Sequence, residues 1–218
     1  MLIRKGALLP AVSLAVLCTA IAVRATFTST ADCLQAIEQA QQNTRTVVAE
    51  FVQVKHVSLL DEPLVSRGRF AFKRPDRVRL SIATPQPATV VINGRDVHIP
   101  GITERDRAAF AMTPMAALFT QLGAIFAGSM QTLQESFQVS ARAADSGIEM
   151  RLQPRQAAWE KTFHSIELQF AGPDLVVRQM RIEDALGDTV EVTLHDVQRN
   201  IELPDAMFAT DAAASPQQ

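Results

Sequence analysis

Tyrosine is absent, tryptophan occurs once and cysteine only twice among 218 residues. Each shortage removes a class of protein. One cysteine, Cys18, lies in the apolar leader, so Cys33 has no partner for an internal disulfide and stability has to come from the core. His56, His98, His164 and His195 stand singly on separate segments, without HxxxH, HxH or Cys/His spacing, which leaves no metal-site pattern. No glycine-rich phosphate loop and no GxSxG elbow occurs. The one adjacent acid pair of note, Glu183–Asp184, sits beside a turn, where solvation explains it better than acid–base catalysis. No enzyme, metal or cofactor is expected.

Long apolar runs are scarce too. The only one, Ala7 to Val23, follows Arg4 and Lys5 and leads to Val23-Arg24-Ala25. It predicts a secretory signal peptide over residues 1–25, cleaved after Ala25. At about 17 residues and interrupted by Pro10, it is at the short limit for a membrane span. A lipoprotein signal at Cys18 is the weaker alternative, because Leu17 is not small and the apolar segment continues past the cysteine. Removing the leader lowers the basic residues from 21 to 18 against 23 acids, a net charge of −5. An acidic chain is a poor nucleic-acid binder, so none is expected as a partner. The mature protein is expected in an extracytoplasmic space as a monomer, with one domain over residues 26–209 and a disordered tail over 210–218.

What is present is mostly β. After a helix over residues 31–43, capped by Ser29 or Thr30, the period changes to two. VVAEFVQVKHVSLL reads as one long strand; SRGRFAF, RVRLSIA, ATVVI and the short Val97–Ile99 follow, the last across an Asn93-Gly94 turn. Thr113 and Pro114 begin an apolar helix ending near Gly128, and a second short helix is expected over 130–135. FQVSARA, IEMRLQP, HSIELQF, LVVRQMRIE and DTVEVTLHD complete an antiparallel meander. In HSIELQF, His164 shares the parity of Ile166, Leu168 and Phe170. About ten twisted strands curl, and the concave apolar face encloses either a packed core or a cavity.

GRFAFKRPDRVRL at residues 68–80 carries five cations, and strand parity sorts them. Arg69, Lys73, Arg77 and Arg79 point outward, to an expected solvated face. Arg74 continues the inner row of Phe70 and Phe72. A guanidinium there needs partners, and backbone carbonyls of a covering helix suit its five donors; a head snorkelling into water is the alternative.

These features in order resemble the LolA family of periplasmic outer-membrane lipoprotein carriers: Phe51-x-Gln53, Gly68 leading through Phe70 and Phe72 into Lys73-Arg74-Pro75, the Asn93-Gly94 hairpin, apolar helices, antiparallel strands, and Leu203-Pro204-Asp205-x-x-Phe208. The resemblance implies a mainly β fold, a curved, antiparallel, unclosed β-barrel whose apolar concave face is covered by short helices. It implies that Arg74 holds the lid closed. Phe51, Phe70, Phe72, Leu80, Ile82 and Val91 from the strands would bind lipid. So would Met115, Leu118, Phe119, Leu122 and Phe126 from the helical region. The implied partners are acylated lipoprotein cargo, an inner-membrane ABC exporter and an outer-membrane LolB-type receptor. Beyond Phe208 the chain departs from the family pattern, with Ala-rich residues in place of a proline-containing extension. A LolA-like paralogue that carries or senses another lipidated or glycolipid molecule is therefore the alternative.

Overall fold

Ser29 starts the first helix reciprocally. Its hydroxyl accepts the Asp32 N–H at 3.1 Å, and the Asp32 carboxylate accepts the Ser29 N–H at 3.0 Å. This capping box satisfies two N–H groups that a helix start leaves open, and α1 runs from Thr30 to Gln42. The computed structural model describes residues 27–94, 96–99 and 129–209. The expected leader, the helix after Thr113 and the tail lie outside them, as do Met115, Leu118, Phe119, Leu122 and Phe126. Among the described residues no helix is long and apolar enough to cross a membrane.

The strands are β1 (Thr46–His56), β2 (Leu64–Lys73), β3 (Arg77–Thr84), β4 (Ala88–Asn93) and β5 (Asp96–His98), followed after α2 (Met130–Ser136) by β6 (Phe137–Ala144) and β7 (Gly147–Pro154). A one-turn α3 (Ala157–Glu160) leads to β8 (Phe163–Ala171), β9 (Val176–Asp184) and β10 (Thr189–Arg199). They form one ten-stranded sheet in the order β5-β4-β3-β2-β1-β10-β9-β8-β7-β6. Every neighbouring pair is antiparallel, and only β1–β10 joins strands distant in sequence. The edges β5 and β6 do not pair, so the curled sheet stays open. The mainly β, unclosed architecture is as expected.

Several details differ from the alternation. β1 stops at His56, because Val57–Leu60 closes a turn through the Leu60 N–H to Val57 carbonyl bond. The helical turn α3 was not expected; it carries Trp159, whose ring lies 5.3 Å from Phe137 and 5.8 Å from Phe163. A register shift between Phe163 and Ser165 leaves His164 exposed while Ile166, Leu168 and Phe170 stay buried. Val91 also corrects its expected place. Val90 and Ile92 join the inner core, and Val91 joins Ala71, Leu203 and Phe208 on the outer face. ATVVI is apolar on both faces, so alternation within it cannot tell inside from outside.

Candidate functional site

The last carbonyls of a helix have no intrahelical donors, and α1 has no basic residue in its final turn. Donors therefore come from the sheet. Arg74, just past the end of β2, donates from Nε to the Thr44 carbonyl at 2.8 Å and from Nη2 to the Gln41 carbonyl at 2.7 Å. Its own N–H donates to the Arg45 carbonyl at 2.9 Å. A cation at a helix C-terminus also meets the negative end of the helix dipole. Arg74 is thus paired to backbone carbonyls, and the snorkelling alternative does not describe it.

Other residues approach the same helix end. Arg199 Nη2 reaches the Ala40 carbonyl at 3.2 Å and the Thr44 hydroxyl at 2.6 Å, while its Nη1 lies 3.0 Å from Asp174. Asn200 donates to the Asn43 carbonyl and accepts the Arg45 N–H, and Gln41 Nε2 donates to the Leu175 carbonyl at 2.9 Å. Residues 41 and 44 are fully buried as a result.

Arg199 was not identified from the sequence. Along β10, Val190, Val192 and Leu194 point inward, and unbroken alternation would send Arg199 outward. Between Val48 and Glu50 of β1 the pairing slips, from Gln198 to His195. Asp196 within that bulge has φ 48. The extra residue reverses parity, so that Val197 packs on the inner core and Arg199 faces α1.

Below the helix, Cys33, Leu34 and Ile37 pack against the inner cluster that holds Phe51, Phe70, Phe72 and Leu80, with Ile82 half-buried at its margin. Burial and the neighbouring Asp32 charge push the Cys33 thiol up from its usual range, which makes it a poor nucleophile. Gly68 serves the Phe51 ring. A Cβ there would stand 2.7 Å from Phe51 Cε1 and 2.1 Å from the Ser81 carbonyl oxygen. The spaced Phe51 and Gly68 of the motif are thus one packing unit.

The outer face is not simply solvated, which corrects the reading of three of its cations. Residues 201–208 lie across it as a strap. Lys73 Nζ donates to the Leu203 carbonyl at 2.7 Å and to Asp205, Arg77 reaches Asp205 at 2.7 Å, and Arg79 reaches the Met207 carbonyl at 3.0 Å. Arg69 remains exposed. Lys73 and Arg77 hold the Asp205 carboxyl below the usual carboxylate range. Leu203 and Phe208 bury themselves on Ala71 and Val91 beneath. The two motifs at 73–75 and 203–208 touch each other. Beside the strap runs a groove of about 1240 Å³ bordered by Val48, Arg67, Arg79 and Met207. Among the described residues, no cluster of His, Cys, Asp or Glu is placed to hold a metal ion.

Residues 42–211 match the family described as outer membrane lipoprotein carrier protein LolA. The chain belongs to the LolA family. The outer-membrane lipoprotein carrier protein of Dechloromonas aromatica is 28% identical over 169 residues, covering 77% of each chain. That of Bordetella avium is 32% identical over 148 residues, covering 65% of each. The crystal structure of MucB resembles it with a TM-score of 0.52 at 13% identity, over 84% of this chain and 63% of that one, a likeness of fold. The LolA family is named for carriage rather than for a reaction, which agrees with a site built of apolar side chains and helix-capping donors.

Proposed function

We propose that the protein is a periplasmic carrier that encloses acyl chains of lipoproteins under its helical cover and moves them from the inner to the outer membrane. The observation that carries this is Arg74, whose guanidinium holds the Gln41 carbonyl in the last turn of α1 and the Thr44 carbonyl just after it, above the apolar concave face. Phe51, Phe70, Phe72, Leu80 and Ile82 on that face would meet the chains, together with Met115, Leu118, Phe119, Leu122 and Phe126. An ABC exporter would load the carrier and a LolB-type receptor would unload it.

The energetics favour an opening lid over a fixed cavity. Each methylene removed from water contributes about 0.8 kcal/mol, so a chain of ~16 carbons gains on the order of 12 kcal/mol. Cargo held that firmly is released only if another state competes. Hydrogen bonds to a charged donor contribute about 1.5–3 kcal/mol each, and two of them at Arg74 offset a substantial part of the binding. Closing the lid thereby drives cargo out.

Native mass spectrometry of the protein purified from the periplasm tests this reading. Diacylated or triacylated protein bound to it is the expected result. Repeated recovery of the empty protein, including from cells blocked in lipoprotein export, overturns it. Recovery of a different lipidated or glycolipid molecule supports the paralogue reading instead.

A further inference from the structure

We propose that Arg199 is a second positioning residue of the closed state, forming with Arg74 a two-sided clamp on the last turn of α1 that opens only as a unit. The inference rests on the carrier reading for its purpose, because the clamped helix is the one that would lift for cargo. Its geometry stands independently.

β2 and β10 flank β1 on opposite sides. Arg74 and Arg199 follow or end those two strands, so they reach the helix end from both sides. They also meet on one residue: Arg74 takes the Thr44 carbonyl, and Arg199 takes the Thr44 hydroxyl. Moving Thr44 to break one bond misplaces the other. Loss of either guanidinium should therefore weaken what the other holds, the condition for coupled rather than additive contacts.

The docking points carry backbone strain. Leu175 and Asn200 have φ 44 and 56, in the left-handed region that non-glycine residues seldom adopt. Leu175 supplies the carbonyl for Gln41, and Asn200 bonds Asn43 and Arg45. Nearby, Arg199 Nε and Gln41 Oε1 are buried without hydrogen-bond partners among the described residues. These two unsatisfied groups disfavour the docked arrangement, and lifting the helix lets them meet water. Strong bonds opposed by buried, unsatisfied polar atoms favour two discrete states over a helix fixed permanently in place.

The protein contains its own reporter. Cys33 lies on the buried face of α1 and is 1% exposed, so a maleimide reaches it only when the helix rises. The experiment measures Cys33 alkylation by N-ethylmaleimide, read on its own peptide by mass spectrometry, in the empty protein. We expect Arg199→Leu to label at least tenfold faster than wild type, comparable with Arg74→Leu. The double variant should exceed either single by less than the product of their effects. Thr44→Val, which keeps the carbonyl for Arg74, should also accelerate labelling, and Arg199→Lys should restore part of the protection. Amide exchange in β7 and β8 is followed in parallel and should remain unchanged. Wild-type labelling in both Arg199→Leu and Thr44→Val overturns the proposal, as do strictly multiplicative effects or exchange that accelerates in step with labelling. Because no cargo is present, these outcomes are separate from the cargo-recovery test of the carrier reading.

Discussion

Lys73 and Arg74 are neighbours in the chain, yet each holds a different segment on a different face of one sheet. Arg74 reaches inward to carbonyls of Gln41 and Thr44, in residues with no exposed surface. Lys73 reaches outward to the strap, where the Asp205 side chain is 70% exposed. The inner contact is shielded and ends on backbone dipoles; the outer one is an ion pair in water, joined to bonds with strap carbonyls. Exposed ion pairs contribute little and are screened by salt. The strap therefore depends mainly on Phe208 and Leu203, whereas the helix end depends on its polar clamp. Adjacent cations of similar charge perform different physical work because the pleat sends them to different surroundings.

The largest expected effect separates the two cores. Phe72→Ala empties a fully buried inner site and should lower global stability by about 3–5 kcal/mol in urea unfolding. Phe208→Ala acts on the smaller outer group and should cost less, about 3 kcal/mol. Its amide exchange should show residues 203–208 opening while β7 and β8 stay protected. If the whole sheet loosens equally, the strap is part of the main cooperative unit.

Arg74→Leu comes next, at about 3 kcal/mol, the low end for losing two charge-assisted bonds at the helix end. Its distinctive consequence is functional: cargo should still load, but transfer to outer-membrane vesicles should slow. Normal transfer would remove Arg74 from the proposed release step. Its protection of Cys33 should also be nearly independent of salt.

Asp205→Asn is expected to have the smallest effect, confined to strap exchange and erased by high salt. The pH dependence has a definite sign. Lys73 and Arg77 depress the folded-state value of Asp205 below its ordinary 3.8. The ionic contribution is therefore present above the ordinary carboxylate range and is lost as pH falls through the depressed value. Acid exchange measurements should show strap release shifted below pH 3.8 in the wild type, and no such step in Asp205→Asn.

Much of the fold could be read locally. Hairpin signals such as Asn93-Gly94, with alternating runs from SRGRFAF to DTVEVTLHD, marked all ten strands, and the parity of Phe70 and Phe72 aimed Arg74 inward. The failures have specific causes. In ATVVI both faces are apolar because both are covered, which hid the orientation of Val91. At Asp196 one extra residue reverses the parity of β10, which hid Arg199. The cations Lys73, Arg77 and Arg79 looked solvated because a strand pattern carries no trace of a segment arriving from far along the chain.

Local pattern specifies which segments become strands and, where no bulge intervenes, which side chains share a face. Those properties follow from backbone sterics and a period of two within a few residues. What covers each face depends instead on contacts between distant segments. The Arg199–Thr44 bond spans 155 positions and the Lys73–Leu203 bond 130. Contacts of that separation arise from sheet order and curl, through β1 pairing with β10, and no local pattern encodes them.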